Sequence, residues 1–247
     1  MVNIGRDLEN IRVACRKCAS ILAELGAAVA PGITTCDIEM LGRSLLERHG
    51  VSSAFMGYHG YPAATCVSIN SEVVHGLPSK SRFIEPGDIV SVDVGVVYRG
   101  CYGDCADTFV AGEAGGDSAV LIDTARDAFQ AALGVSYAGN RTGDIGFCVQ
   151  KLVESRGFSV VKDFSGHGIG RSLHQEPEIP NFGRSGEGRL LKKGMVLAIE
   201  PMINRGGSEI DILEDGWTAV TSDGSYSAHY EHCVLITGGI PEVLTRL

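Results

Sequence analysis

Pro86-Gly-Asp-Ile-Val-Ser-Val-Asp-Val-Gly-Val-Val-Tyr-Arg-Gly-Cys-Tyr-Gly-Asp-Cys-Ala-Asp-Thr-Phe-Val-Ala111 reads as a β-hairpin that aims two aspartates inward. Its first arm, Ile89 to Val97, is β-branched and nearly all apolar, the composition of a strand covered on both faces, yet Asp93 stands in its middle. After the turn signal Tyr98-Arg99-Gly100 the return arm carries Asp104 and runs on to Val110. Two carboxylates eleven residues apart on opposite arms of one hairpin can hold the same object. A buried carboxylate must be protonated, paired with a cation, or bound to a metal, because an unpaired buried charge is prohibitively costly. Asp93 by itself is equally compatible with a protonated or Arg-paired structural role, so the reading depends on what converges with it.

The chain of 247 residues, 44% hydrophobic, can bury a large core, and its 33 glycines imply many turns and close backbone approaches. A net charge of −9 argues against nucleic acid or an anionic membrane as the main partner and suits a carboxylate-rich site. Eight cysteines at uneven positions read as reduced thiols of a cytoplasmic protein. Cys15-x2-Cys18 and Cys101-x3-Cys105 raise a zinc hypothesis, but neither has a second pair at structural-zinc spacing, which favours ordinary thiols. Neither a leader-like segment nor an apolar run near 18 residues is found, so export and membrane spanning are not expected.

Helical periodicity runs from Asp7 to Leu25 and stops at Pro31-Gly32; Thr34-x-x-Asp37 then caps a second helix ending at Gly50. The order returns with a helix from Ser118 to Leu133, a break at Gly139-Asn140 and another helix to Arg156. Sliding the chain by 107 residues matches eight of twenty-one positions over 32–52, among them Gly32/Gly139, Thr35/Thr142, Asp37/Asp144 and Gly50/Gly157. Chance would give roughly one or two. The same offset carries the strand Gly87 to Asp93 onto Gly194 to Glu200, so Asp93 matches Glu200. The expectation is a single domain, 1–247, built from two halves, about 8–112 and 115–247. Each half is a helix-helix-strand unit, and their strands join into one sheet with helices outside, the two acids facing each other across an approximate two-fold axis.

A third inward group is His167, flanked by glycines in Phe164-Ser-Gly-His-Gly-Ile-Gly-Arg-Ser-Leu-His-Gln-Glu-Pro177. Glu200 in Glu200-Pro201 and Glu231 in Tyr230-Glu-His232 are the fourth and fifth. Neutral imidazole with carboxylates suits Mn, Fe, Co or Zn and poorly suits Ca or Mg. Four carboxylates balance two divalent ions, whereas one ion would leave the site at −2, so a dinuclear centre holding an activated water is expected. The glycine-rich segment is not a phosphate loop, since no Lys-Ser/Thr follows it.

With these residues in view, the ordered set Asp93, Asp104, His167, Glu200, Glu231 resembles the metal ligands of the pita-bread metallopeptidases. The F-x-G-H-G-I-x4-H stretch, Ile199-Glu-Pro-Met202 and Tyr230-Glu-His232 resemble type I methionine aminopeptidases in particular. The resemblance implies an α+β pita-bread fold, a curved and mainly antiparallel sheet with helices outside. It implies an enzyme that removes the initiator methionine from nascent chains and peptides, preferring a small second residue. Asp93 and Asp104 would ligate two divalent ions, with His167 and Glu200 on one and Asp104 and Glu231 bridging. Glu200 would carry the proton of the attacking water, His75 would contact the substrate amide nitrogen, and His174 would hydrogen-bond the scissile carbonyl. Tyr58, Tyr61, Cys66 and Trp217 would line the pocket for the leading side chain. Phe55 and Leu173 stand where relatives vary, and Asn70 and Ser227 match positions near a monovalent cation. His59, His229 and His232 are left to supporting or structural roles. The expected partners are a peptide or nascent-protein N-terminus, with the ribosome as a further candidate docking through another surface, and no direct nucleic acid or membrane; a monomer is expected. The alternatives are a proline-specific Xaa-Pro aminopeptidase or dipeptidase and a non-catalytic relative that binds a partner.

Overall fold

In the computed structural model, which describes residues 5–113 and 115–247, four helices back a nine-stranded sheet. The helices are α1 (Arg6–Ala28), α2 (Thr35–His49), α3 (Gly116–Val135) and α4 (Thr142–Ser155). The strands that place the site are β1 (Thr65–Ile69), β2 (Ile89–Tyr98), β3 (Cys101–Val110), β4 (Ser165–Gly168), β5 (Gln175–Pro180), β6 (Val196–Ile199) and β7 (Glu231–Leu235). Neighbours run β2-β3-β7-β6-β4-β5 with β1 against β2, and each of these pairs is antiparallel.

The hairpin β2-β3 turns through Arg99-Gly100, with Tyr98 opposite Cys101. Both turn residues have positive φ, 49° and 74°, the left-handed conformation whose twist matches that of the flanking strands in a two-residue loop. Along β2 the side chains alternate. Val90, Val92, Val94 and Val96 join Ile21, Leu25, Ile38 and Leu45 of α1 and α2 in one buried cluster, leaving Asp93 to the opposite face. Gly103 on β3 faces α1 so closely that an added Cβ would stand 2.7 Å from the Cys15 nitrogen. Helices α3 and α4 bury Leu121, Phe129, Ile145 and Val149 against Leu197, Ile199 and Val234 of β6 and β7.

Helix-helix-strand thus occurs twice, and the backbone bonds that frame each unit recur at an offset of 107. Thr35 N donates to Arg82 O at 3.0 Å and Thr142 N to Arg189 O at 2.9 Å; Gly32 N donates to Ile84 O at 2.8 Å and Gly139 N to Leu191 O at 3.1 Å. Asp37 and Asp144 each accept from the backbone N–H three residues earlier, Thr34 at 2.7 Å and Arg141 at 2.8 Å. Several of the sequence matches therefore fall on caps and turns, where backbone geometry restricts residue choice, while Ile38/Ile145 and Leu45/Leu152 lie within the second helix of each unit. In the sheet the two halves meet between β3 and β7, with β2 and β6 outside them.

Glu39 ties α2 to β1. Its carboxylate, 4% exposed, accepts from Ala64 N (2.9 Å), Thr65 N (2.9 Å) and Thr65 Oγ1 (2.7 Å) and pairs with Arg43 at 2.6 Å. Glu39→Ala leaves two buried N–H groups without acceptors and should cost about 2–5 kcal/mol in denaturant unfolding; an unchanged midpoint would remove its anchoring role.

Candidate metal centre and substrate cleft

Strand register brings the acidic groups to one face of the sheet. Asp93 is opposite Ala106 and Gly95 opposite Asp104, so both aspartates share a face, two residues apart diagonally. Ala106 is in turn opposite Glu231 of β7. Beyond it, Ala198 of β6 is opposite both Cys233 and His167, and Glu200 follows two residues after Ala198 on the same face. Asp104, His167 and Glu231 each offer a ligand atom within 4.8 Å of the others. Glu200 lies where the chain leaves the large sheet: Pro201 has no N–H to continue a ladder, and Met202–Asn204 pairs instead with Ser227–His229. Asn181 Nδ2 donates to the Glu200 carbonyl at 3.0 Å and anchors that crossing.

The glycines around His167 serve close packing. An added Cβ at Gly166 would stand 2.4 Å from Ala198 O, and one at Gly168 2.4 Å from Glu176 O. His167 Nδ1 lies 3.1 Å from Gly168 O. A carbonyl only accepts, so Nδ1 carries the proton and the neutral ring presents the lone pair of Nε2, which lies 3.5 Å from Glu200 Oε1. Burial pushes this imidazole down to about 3, so the contact is not a salt bridge at neutral pH. The same holds for His229 Nε2, 3.7 Å from Glu200 Oε2, whose imidazole is also lowered by burial.

Burial raises every carboxylate of the group. Asp93 is pushed up to about 7 and Glu200 to about 8; Asp104 and Glu231 are raised well above the carboxylate range by burial first and then by mutual repulsion. Asp93 Oδ1, Asp104 Oδ1 and Glu231 Oε1 are buried with no hydrogen-bond partner among the described residues. Among the described residues no arginine or lysine lines the cleft around them. Buried, unpaired and mutually repelling oxygens beside a neutral imidazole lone pair are the donor set that a divalent cation satisfies.

The cleft divides at this group. An inner lobe of about 240 Å³ is lined by Phe55, Tyr58, Tyr61, Cys66, Leu173 and Trp217; an outer lobe of about 460 Å³ opens past Phe164, Gln175, Glu178 and His229. His75, Asp93, His167, His174 and Glu200 border both. His75 adopts φ 61°, uncommon for a side-chain-bearing residue, and its ring meets Phe164 edge-on at 5.2 Å. His174 Nδ1 and the Tyr58 hydroxyl are hydrogen-bonded at 2.8 Å.

Each residue singled out from sequence thus has a defined place. Asp93, Asp104, His167, Glu200 and Glu231 converge; His75, His174, Tyr58, Tyr61, Cys66 and Trp217 surround them. Asn70 and Ser227 are neighbours, Ser227 N donating to Asn70 O at 2.8 Å, while the Asn70 side chain is engaged by Asp88 and Ile89 N. His59 borders the inner lobe. His232 points to the opposite face, against Phe129, bonded to Tyr230 Oη and Thr245 Oγ1, each at 2.8 Å. Cys18 Sγ lies 3.2 Å from Cys105 Sγ between α1 and β3, and all eight cysteines are free thiols. Sequence reasoning left His229 to a supporting or structural role and read Phe164 only as part of the F-x-G-H-G-I-x4-H stretch; it missed Asn181, whose only signal is its place in space.

The fold and this centre define a class. The chain belongs to metallopeptidase family M24, whose profile matches residues 9–238. Within it the chain resembles methionine aminopeptidases: that of Clostridium perfringens is 46% identical over 236 residues, 94% of each chain. The crystal structure of the methionine aminopeptidase of Thermotoga maritima covers 100% of both chains at 46% identity with a TM-score of 0.97. The prolidase of Pyrococcus furiosus shares the fold alone, with a TM-score of 0.81 at 20% identity, this chain covering 65% of its length. The protein is accordingly an α+β, pita-bread metallo-aminopeptidase, a class that acts at peptide N-termini with divalent metal ions. Among the described residues no helix is long and apolar enough to cross a membrane.

Proposed function

We propose that the chain, acting as one catalytic domain in the cytoplasm, removes the N-terminal methionine from nascent proteins and peptides whose second residue is small. The observation that carries the reading is the contact between the convergent acids and the inner lobe, a short apolar cul-de-sac of aromatic, aliphatic and thiol groups. A methionine side chain, flexible and polarisable, suits such a lining. Asp93, Asp104, His167, Glu200 and Glu231 would hold two divalent ions from the set Co, Mn, Fe and Zn. When bound, these ions lower the pKa of water toward neutrality and polarise the peptide carbonyl.

The chain's own groups account for the rest. An inner lobe of about 240 Å³ suits one side chain, so the α-amine of the leading residue sits beside the acids and the first peptide bond lies at the junction of the lobes. His174 donates to the scissile carbonyl oxygen as charge develops there, and its bond to Tyr58 holds the ring for that task. His75 hydrogen-bonds the scissile amide, its backbone conformation aiming the ring into the cleft. Glu200 takes a proton from the attacking water and returns it to the leaving amine. Crowding by His75 and His174 at the junction restricts the second residue. The same reading places a monovalent cation beside Asn70 and Ser227, supported by their adjacency, and expects a monomer working at the ribosome.

Metal analysis together with peptide cleavage tests the proposal. The metal-loaded protein should release methionine from Met-Ala-Ser, lose that activity with a chelator and regain it with Mn, Co or Fe. Preferential cleavage of x-Pro peptides would transfer the chain to the proline-specific branch, and metal-independent cleavage would remove the dinuclear site.

A further inference from the structure

The edge along which the two halves meet is not a continuous backbone ladder. Strand β3 pairs with β7 at Ala106 with Glu231 and at Cys105 with His232. One step further the register would set Cys233 against Asp104, and there the backbones part. Cys233 N donates to Thr245 Oγ1 at 3.0 Å, and the Cys233 carbonyl accepts from Leu244 N at 2.8 Å. We infer that the C-terminal segment 242–245, acting with the thiol of Cys233, positions Asp104 and Glu231 relative to each other and so sets the spacing of the metal-binding carboxylates. This deepens the metallopeptidase reading and rests on its assignment of Asp104 and Glu231 as ligands.

The sulfur takes the place of the departed backbone partner. Cys233 Sγ donates to Asp104 O at 3.2 Å and accepts from Asp104 N at 3.4 Å. Cys233 is fully buried, in one cluster with Ile11, Cys15 and Leu244, so close packing fixes where the thiol points. The backbone of one ligand, Asp104, thus rests on a side chain two residues along the strand from the other, Glu231. A side chain rather than a ladder bond sets the gap between the two strands at this joint, where the carboxylate atoms of Asp104 and Glu231 come within 4.8 Å of each other.

The tail secures the other side of the joint. Strand β8 (Glu242–Val243) continues along the edge of β7 that β3 vacates, Val243 opposite Val234 and Glu242 opposite Leu235, while β6 holds the opposite edge over the same residues. Arg12 of α1 pairs with Glu242, Nη2 to Oε2 at 2.8 Å, and ties β8 to the helix. Thr245 Oγ1, besides accepting from Cys233 N, is hydrogen-bonded to His232 Nδ1 at 2.8 Å, and His232 Nε2 to Tyr230 Oη at 2.8 Å. Glu231 therefore stands between two neighbours bonded to each other and to the tail. Neither Cys233 nor Thr245 lines either lobe of the cleft, so their influence on the reaction passes through the two ligands.

Calorimetric titration of Mn(II) into the metal-free full chain tests this. Cys233→Ala and Thr245→Val should each weaken Mn(II) binding by about 10–100-fold, the loss expected when a group that orients a metal ligand is removed. Thr245→Ser keeps the hydroxyl and should bind within about threefold of the parent. At saturating Mn(II) the KM for Met-Ala-Ser should stay within about twofold of the parent value in all three, because no substrate contact is removed. Unchanged affinity in Cys233→Ala or Thr245→Val, or a loss that Thr245→Ser shares, overturns the positioning role. Should melting curves show Cys233→Ala unfolded, the two Thr245 variants decide alone. If the parent takes up no Mn(II), the metal-centre reading fails instead. Amide exchange at Asp104 in the metal-free protein then decides the joint: Cys233→Ala and Thr245→Val should speed it by about tenfold or more, and an unchanged rate overturns it.

Discussion

Glu200→Gln should lower kcat by about a hundredfold to ten-thousandfold while the protein stays folded. The side chain is isosteric, so Asn181 still anchors the crossing through the residue 200 carbonyl, and the contacts with His167 and His229 keep their shape. What is lost is a group able to accept and return a proton beside the scissile bond. The amide also removes one charge from a buried group of mutually repelling carboxylates, so the metal-free variant should melt no lower than the parent. Metal content measured with turnover separates the two duties assigned to this residue. Loss of metal with loss of rate makes Glu200 chiefly a ligand; full metal with near-normal turnover removes its proton-transfer role.

Metal removal should change stability as well as activity, with a sign that depends on pH. In the metal-free protein Asp93 and Glu200 titrate near 7 and 8, against unfolded values of about 3.8 and 4.5. Their folded-state pKa values are raised, so the stability they contribute is full below about pH 4 and is lost as pH rises through the folded values. The buried histidines act oppositely. His75 and His232 are pushed down to about 4 and His167 to about 3, so they favour the fold above about pH 6.5 and oppose it as pH falls toward those values. Between pH 7.5 and 8.5 the histidines are neutral in both states while the carboxylates ionise in the folded protein, and the melting temperature of chelated protein should fall across that interval. Divalent metal should reverse the loss, its stabilising effect growing with pH and reaching about 4 kcal/mol at a thousandfold excess over Kd. A flat melting temperature in chelated protein across this window, equal to that of Asp93→Asn, would mean that the acids are neutralised by something other than protons or metal.

Much of this centre was legible before any coordinates. The hairpin followed from β-branched residues around Asp93 and the Arg99-Gly100 turn, both local signals. The repeat was expected because Thr35/Thr142 and Gly50/Gly157, at positions where caps and turns constrain residue identity, match at the same offset as the apolar pairs Ile38/Ile145 and Leu45/Leu152. Asn181 escaped notice, and His229 was given no more than a supporting or structural role, for the opposite reason: a single histidine or asparagine on a strand or loop carries little pattern, and its meaning is set by what lies 3.7 Å or 3.0 Å away. The outer lobe was likewise invisible, since Glu178 looks like an ordinary surface acid until two strands are paired.

The residue order alone determined the strand that buries an aspartate and the repeat that matches it to Glu200, and it raised the expectation, from four carboxylates and one imidazole, of two cations. Those conclusions need only local backbone preferences and charge balance. Which face the acids share, which histidine turns toward Glu200 and which toward Phe129, and how the cleft splits into an apolar and an acidic lobe were decided by the tertiary structure. Strand register and the crossing at Pro201 set them, and a shift of one residue in either would send every side chain to the other side of the sheet.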